Sequence, residues 1–140
     1  MAHILLIEDN PGDILLTKEA FNECSVIHKI DYVNDGIEAI KYLRKQEKYK
    51  DACTPDLILL DLNLPKKDGR EVLEEIKNDN VLKSIPVIIL STSKNETDIH
   101  RTYELKANCY ISKPVELDHF FDIILELERF WLNTVKLPQN

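Results

Sequence analysis

The chain has 140 residues, the size of one ordinary domain, and its 18 Lys+Arg against 25 Asp+Glu leave a formal charge of -7. That surplus of negative charge repels phosphate backbones and anionic lipid, which argues against nucleic acid and membrane surfaces as partners. With no basic segment leading into an apolar run at the start and no stretch near the ~20 apolar residues of a spanning helix, the expectation is a cytoplasmic protein forming one domain over residues 1–140. Cys24, Cys53 and Cys109 are odd in number and widely spaced, so they are expected to be reduced, with at least two in the core.

In chain order, the apolar run HILLI (3 to 7) predicts a strand, and Asn10-Pro11 opens a helix over 11 to 24, with Leu16, Ala20, Phe21 and Cys24 on one stripe. The weaker run KIDYV (29 to 33) predicts a second strand, and Asp35, with Glu38 at the third helical position, caps a helix over 36 to 46. A polar surface loop over about 47 to 55 leads to DLILL (56 to 60), and Asp68 with Glu71 repeats the cap for a helix over 69 to 78. PVIIL (86 to 90) predicts the fourth strand. Helix 95 to 106 is thinly apolar, with Ile99, Tyr103 and Leu105, and is the expected low-stability element that moves. NCYIS (108 to 112) is the fifth strand, followed by a helix from 116 to about 133 and a short tail over about 132–140. Strict alternation of strand and helix predicts an α/β fold, a five-stranded parallel sheet, doubly wound. The third and fourth strands, unbroken apolar runs, suit a sheet covered on both faces.

Ligands in such sheets bind beyond the carboxyl ends of the strands. Those ends carry Glu8-Asp9, Asp61, Ser91-Thr92 and Lys113-Pro114. Converging carboxylates raise one another's pKa and need a counter-charge. Magnesium suits Glu8, Asp9 and Asp61 because it prefers oxygen ligands and commonly takes one or two carboxylates plus a phosphate. An Asp61 oxygen can then attack phosphorus, while the Lys113 ammonium and the Ser91 hydroxyl each neutralise or bond a phosphoryl oxygen. Thr92 or Ser93 are alternatives to Ser91, which the spacing from Pro86 favours, and Asp13, Asp35 and Asp68 are assigned to capping. The four histidines share no spacing and carry no ligand role.

Glu8-Asp9, LLDLNLPKKDG around Asp61, PVIILSTS and YISKP together resemble the receiver domains of two-component response regulators over nearly the whole chain. The resemblance implies a flavodoxin-like topology and a switch operated by a sensor histidine kinase. By it Asp61 is the phospho-acceptor, Asp9 binds magnesium directly, Glu8 directly or through water, and Asn63 offers its backbone carbonyl. Ser91 becomes the switch hydroxyl, Tyr110 the switch aromatic and Lys113 the phosphoryl-binding lysine. Ser91 stands where many members have Thr and Glu8 where many have Asp; neither removes a needed group. LNLPKKDGREVLEEIK, YELKANCY and the terminal FWL are similar to the small regulators of phytochrome-type histidine kinases.

Two other functions compete. A dehalogenase-type phosphatase also uses a strand-end aspartate, but needs an acid two residues on, where Asn63 cannot give a proton. A passive receiver with a dead site is opposed by the complete set of groups. On the last helix Phe120, Ile124, Leu127 and Trp131 form one stripe, with Phe121, Leu125 and Leu132 on one flank and Ile123 and Phe130 on the other. The arc is wider than one buried face needs, which points to a partner site unless the tail from Val135 to Pro138 folds back over it. The resemblance favours a homodimer through this helix and the strand before it.

Overall fold

The computed structural model describes residues 1–138; residues 139 and 140 of the expected tail lie outside them. Its elements run β1 (His3–Ile7), α1 (Pro11–Asn22), β2 (Lys29–Val33), α2 (Gly36–Leu43), a short 3-10 turn (Glu47–Tyr49), β3 (Leu57–Leu60), α3 (Gly69–Asn78), β4 (Val87–Ser91), α4 (Glu96–Glu104), β5 (Cys109–Ser112) and α5 (Leu117–Leu127). A π-helical segment, Glu128–Thr134, continues α5. The strands form one parallel sheet in the order β2-β1-β3-β4-β5.

Alternation along each strand divides the core. Leu5, Ile7, Ile58, Leu60, Val87 and Ile89 face α2 and α3, where Ile40, Leu43, Val72, Leu73 and Ile76 close the layer. Ile4, Leu6, Leu57, Leu59, Ile88 and Leu90 face α1 and α5, covered by Ile14, Ala20, Phe21, Phe120, Ile124 and Leu127. With both faces covered, β1, β3 and β4 are buried along their whole length. β5 lies at the sheet edge and is half-buried throughout.

The predicted caps form. Asn10 accepts from the Asp13 N–H at 3.1 Å, Asp35 from Glu38 at 2.8 Å and Asp68 from Arg70 at 3.0 Å. α2 stops before residue 46 because Lys45 turns left-handed (φ 57). The buried stripe of α1 is Ile14, Thr17, Ala20 and Phe21, with Leu16 and Cys24 only partly covered. Thr17 can be buried because its hydroxyl donates to the Asp13 carbonyl at 2.7 Å. All three cysteines are free, but Cys24 and Cys109 are half-buried and Cys53 is exposed, so none is wholly in the core.

The last helix changes its hydrogen bonding at Glu128. The wider π turn brings Asn133, five residues on, to donate to both Glu128 carboxylate oxygens at 2.8 and 2.9 Å, while His28 Nε2 lies 3.6 Å from Oε2. The Glu128 carboxylate is thereby buried, at 5% exposure. The tail therefore begins at Val135 rather than near 132.

Gly36 and Gly69 stand where backbones meet, Gly36 against Lys67. A Cβ on Gly69 would lie 2.3 Å from the Asp61 carbonyl oxygen and 2.6 Å from Leu62 Cα, and backbone atoms cannot move aside as a flexible side chain can. Gly69→Ala is expected to cost about 1–3 kcal/mol of overpacking, read as a lower midpoint in urea unfolding. Gly12→Ala, whose nearest neighbour is a side-chain oxygen at 3.2 Å, should cost clearly less; equal midpoints for the two variants would contradict this.

Candidate functional site

The strand ends carry their residues into one crevice. Beyond β1 the Glu8 N–H donates to the Val33 carbonyl at 3.1 Å, and beyond β3 the Asp61 N–H donates to Ile7 at 3.0 Å, so both backbones extend the sheet ladder. Glu8 and Asp61 are buried and Asp9 is exposed, and one carboxylate oxygen from each lies within 4.8 Å of the others. Glu8 Oε2 accepts the N–H groups of Asp9 (3.1 Å) and Asn10 (3.2 Å), and Asp61 Oδ1 accepts that of Asn63 at 3.3 Å. Beyond β5 the Lys113 N–H donates to the Ser91 carbonyl at 2.7 Å. The Lys113 ammonium, 5% exposed, pairs with Glu8 Oε1, lies 3.0 Å from Asp13 Oδ2 and 3.5 Å from Asp61 Oδ2.

Asp13 corrects the sequence expectation. Its backbone is capped by Asn10, so its carboxylate caps nothing and instead reaches Lys113. An acidic residue in the first helical turn looks like a cap in any sequence, and no local signal gives away a partner 100 residues on.

One ammonium faces several carboxylates here, and the protonation equilibria reflect it. Burial pushes the Glu8 carboxyl up to about 7; the hydrogen bond and charge of Lys113 oppose this, and Asp61 adds to it. Burial works to lower the Lys113 pKa, but Glu8 first, then Asp61 and Asp13, outweigh it and hold the ammonium charged. The donors are hard oxygens with surplus negative charge, which fits a hard divalent cation and not a thiolate- or imidazole-seeking metal.

A second group of residues connects the site to α4. Ser91 is fully buried and Thr92 exposed, and the Ser91 Oγ accepts the Ser93 N–H at 3.1 Å. The Ser93 carbonyl accepts the Tyr110 hydroxyl at 2.9 Å, and its own hydroxyl donates to Asp98 at 2.8 Å. Arg70, at the start of α3, donates to Asp98 at 2.8 Å and to Asp68 at 3.1 Å. The hydrogen bonds of Arg70 and then Ser93 hold the Asp98 carboxyl below the usual range. Arg70 and Asp98 were invisible as a pair because their contact crosses two helices.

A doubly wound sheet with an acidic crevice and a lysine at its strand ends defines the class, and the response regulator receiver domain model matches residues 4–125. The chain belongs to that family: it is a signalling protein whose working is phosphorylation-dependent and whose partner is a sensor histidine kinase. It is 47% identical over 135 residues to the response regulator Rcp1 of Synechocystis sp. (strain ATCC 27184 / PCC 6803 / Kazusa), covering 96% of this chain and 92% of that protein. The crystal structure of the phosphorylated cyanobacterial phytochrome response regulator RcpA superposes with a TM-score of 0.96 at 54% identity, covering 99% of both chains. The Mn(2+)-bound form of Rcp1 gives a TM-score of 0.96 at 46% identity, covering 99% of this chain and 100% of that one. Receiver domains bind a divalent metal, and an acidic cluster of that chemistry is present here. No helix among the described residues is long and apolar enough to cross a membrane.

The raised Glu8 pKa has a measurable consequence. Between the ordinary value of 4.5 and about 7, the folded protein binds a proton that the unfolded chain has released, so stability falls as pH rises through that window and levels off above it. Urea unfolding in chelator at pH 4.5, 6 and 7.5 is expected to show this decline. Glu8→Gln should flatten it, and an unchanged slope in that variant would assign the decline to other groups.

Proposed function

We propose that Asp61 is the phospho-acceptor and that Glu8, Asp9, Asp61 and the Asn63 carbonyl hold magnesium beside it. The observation that carries this reading is the Lys113 ammonium, buried and charged, 3.5 Å from an Asp61 oxygen at the centre of the acidic cluster. Bound magnesium supplies positive charge to a phosphoryl oxygen. An Asp61 oxygen forms the new P–O bond while the bond from phosphorus to the donor imidazole nitrogen breaks, its electron pair leaving with the nitrogen. Lys113 and Ser91 donate to two of the spread phosphoryl oxygens. Hydrolysis by water returns the carboxylate on the same residues, so the chain catalyses its own phosphorylation and dephosphorylation. Asn63, exposed and unable to give a proton, leaves a dehalogenase-type phosphatase without its acid.

Ser91 and Tyr110 serve as the switch. A hydroxyl drawn to the phosphoryl group leaves the Ser93 N–H, and Ser93 in turn holds Tyr110 and Asp98. Similarity to a phytochrome response regulator supports a phytochrome-type histidine kinase as donor, and a cytoplasmic setting follows from that partner.

Assembly completes the reading: two copies pair through α5 and β5. β5 is an edge strand, Leu117 and Phe130 remain exposed on the last helix, and Val115 between strand and helix is almost wholly bare. Part of the surplus is taken up within the chain, since Phe121 and Leu132 pack against the core, but Phe130 stays exposed.

Incubated with a small phosphodonor and magnesium, the wild type should gain one phosphoryl mass, mapped to Asp61, and Asp61→Asn should gain none. Donor turnover without adduct, or no reaction at all, would exclude the switch. By light scattering after size exclusion the wild type should run as two copies at high micromolar concentration and Phe130→Glu as one. A wild type that stays monomeric with and without phosphodonor would refute the pairing.

A further inference from the structure

We propose that Asp13 is a positioning residue for Lys113: from the first turn of α1 it binds one ammonium proton and thereby aims another at the acceptor. The proposal rests on Asp61 being the phospho-acceptor. A lysine ammonium has three N–H donors and no acceptor. Glu8 and Asp13 take two of them, Asp13 at 3.0 Å, and the third faces Asp61 at 3.5 Å, too long for a strong hydrogen bond. The short contacts define the direction of the long one, and the long one points to the carboxylate on which an incoming phosphoryl oxygen would sit.

Asp13 is suited to that work. The Asn10 cap, Pro11 at the first helical position and the Thr17 hydroxyl on the Asp13 carbonyl fix its backbone on both sides. Its side chain is about a quarter exposed and Lys113 almost buried, so the pair closes the α1 side of the crevice while keeping its polar edge in water. Without Asp13 the four-carbon lysine stem has one firm anchor, Glu8, about which the ammonium can rotate. The same substitution removes a negative charge from the path of an anionic donor, so positioning and charge repulsion predict opposite outcomes.

The test is Asp13→Asn, which keeps shape and the capped backbone, with Asp13→Ser as a second variant should it fold poorly. The phosphorylation rate with a small phosphodonor, followed by intact mass, is expected to fall roughly tenfold, because the amide oxygen left in place is a neutral and weaker acceptor for the ammonium. Asp13→Glu should recover part of the rate. In a Lys113→Gln background, Asp13→Asn should change the rate less than twofold. In chelator, without phosphodonor, the Lys113 ammonium protons in the nitrogen-detected spectrum should exchange with water faster in Asp13→Asn than in wild type. An equal or faster rate in Asp13→Asn, or the same loss in the Lys113→Gln background, overturns the positioning role. A phosphoryl group mapped away from Asp61 in the wild type overturns the parent reading instead, so the two failures are separable.

Discussion

The site depends on one buried positive charge held among negative ones. Glu8 comes from the end of β1, Asp61 from the end of β3 and Asp13 from α1, and the Lys113 ammonium from the far edge of the sheet touches all three. Removing one partner of a buried, paired charge is far costlier than the net value of the pair, because the other partner is left without compensation. The carboxylates thus require Lys113, and Lys113 can reach them only because its backbone is hydrogen-bonded to Ser91 and extends the sheet past β5. The surplus of acid over base also leaves the crevice short of positive charge, so a divalent cation is electrostatically welcome there.

What was legible in the sequence was what local chemistry determines. The apolar runs of β1, β3 and β4 read as buried strands because both sheet faces are covered, and the three helix caps read correctly because each is settled within four residues. The strand-end carboxylates and Lys113 could be gathered into one crevice because a doubly wound sheet places all carboxyl ends together. Contacts with no local signature stayed hidden. Asp13 resembles a cap until Lys113 is placed beside it, Thr17 looks too polar for a core until its hydroxyl finds a carbonyl, and Glu128 looks exposed until a π turn brings Asn133 round to it. The apolar arc of the last helix was read at 3.6 residues per turn, so its flanks could not be divided correctly past residue 128.

The hydrogen bonds around Ser93 give the expected movement of α4 a physical route. α4 buries little beyond Thr102 and leaves Tyr103 exposed, so polar contacts near its start contribute a large share of its tether. Those contacts are Asp98 to Ser93 and Asp98 to Arg70. Ser93 is also the residue whose N–H rests on the Ser91 Oγ and whose carbonyl holds Tyr110. A change at Ser91 therefore reaches the helix and the aromatic through a single residue, with no contiguous core needing to repack.

The energies are of the right size for such a device. Hydrogen bonds to a charged group contribute about 1.5–3 kcal/mol each, so the two proposed from Lys113 and Ser91 to a phosphoryl group would supply on the order of 3–6 kcal/mol. Moving a two-state equilibrium from 1:99 to 99:1 takes about 5.5 kcal/mol. Against this stands the tether of α4, in which Arg70–Asp98 is a partly exposed ion pair of only about 0–1 kcal/mol and the Ser93 bonds are ordinary ones. A tether that weak holds the resting arrangement without blocking the change, whereas burying α4 as deeply as α3 would fix the helix in place. The thin apolar face of α4 is thus what the proposed switch, with two hydrogen bonds as its input, requires.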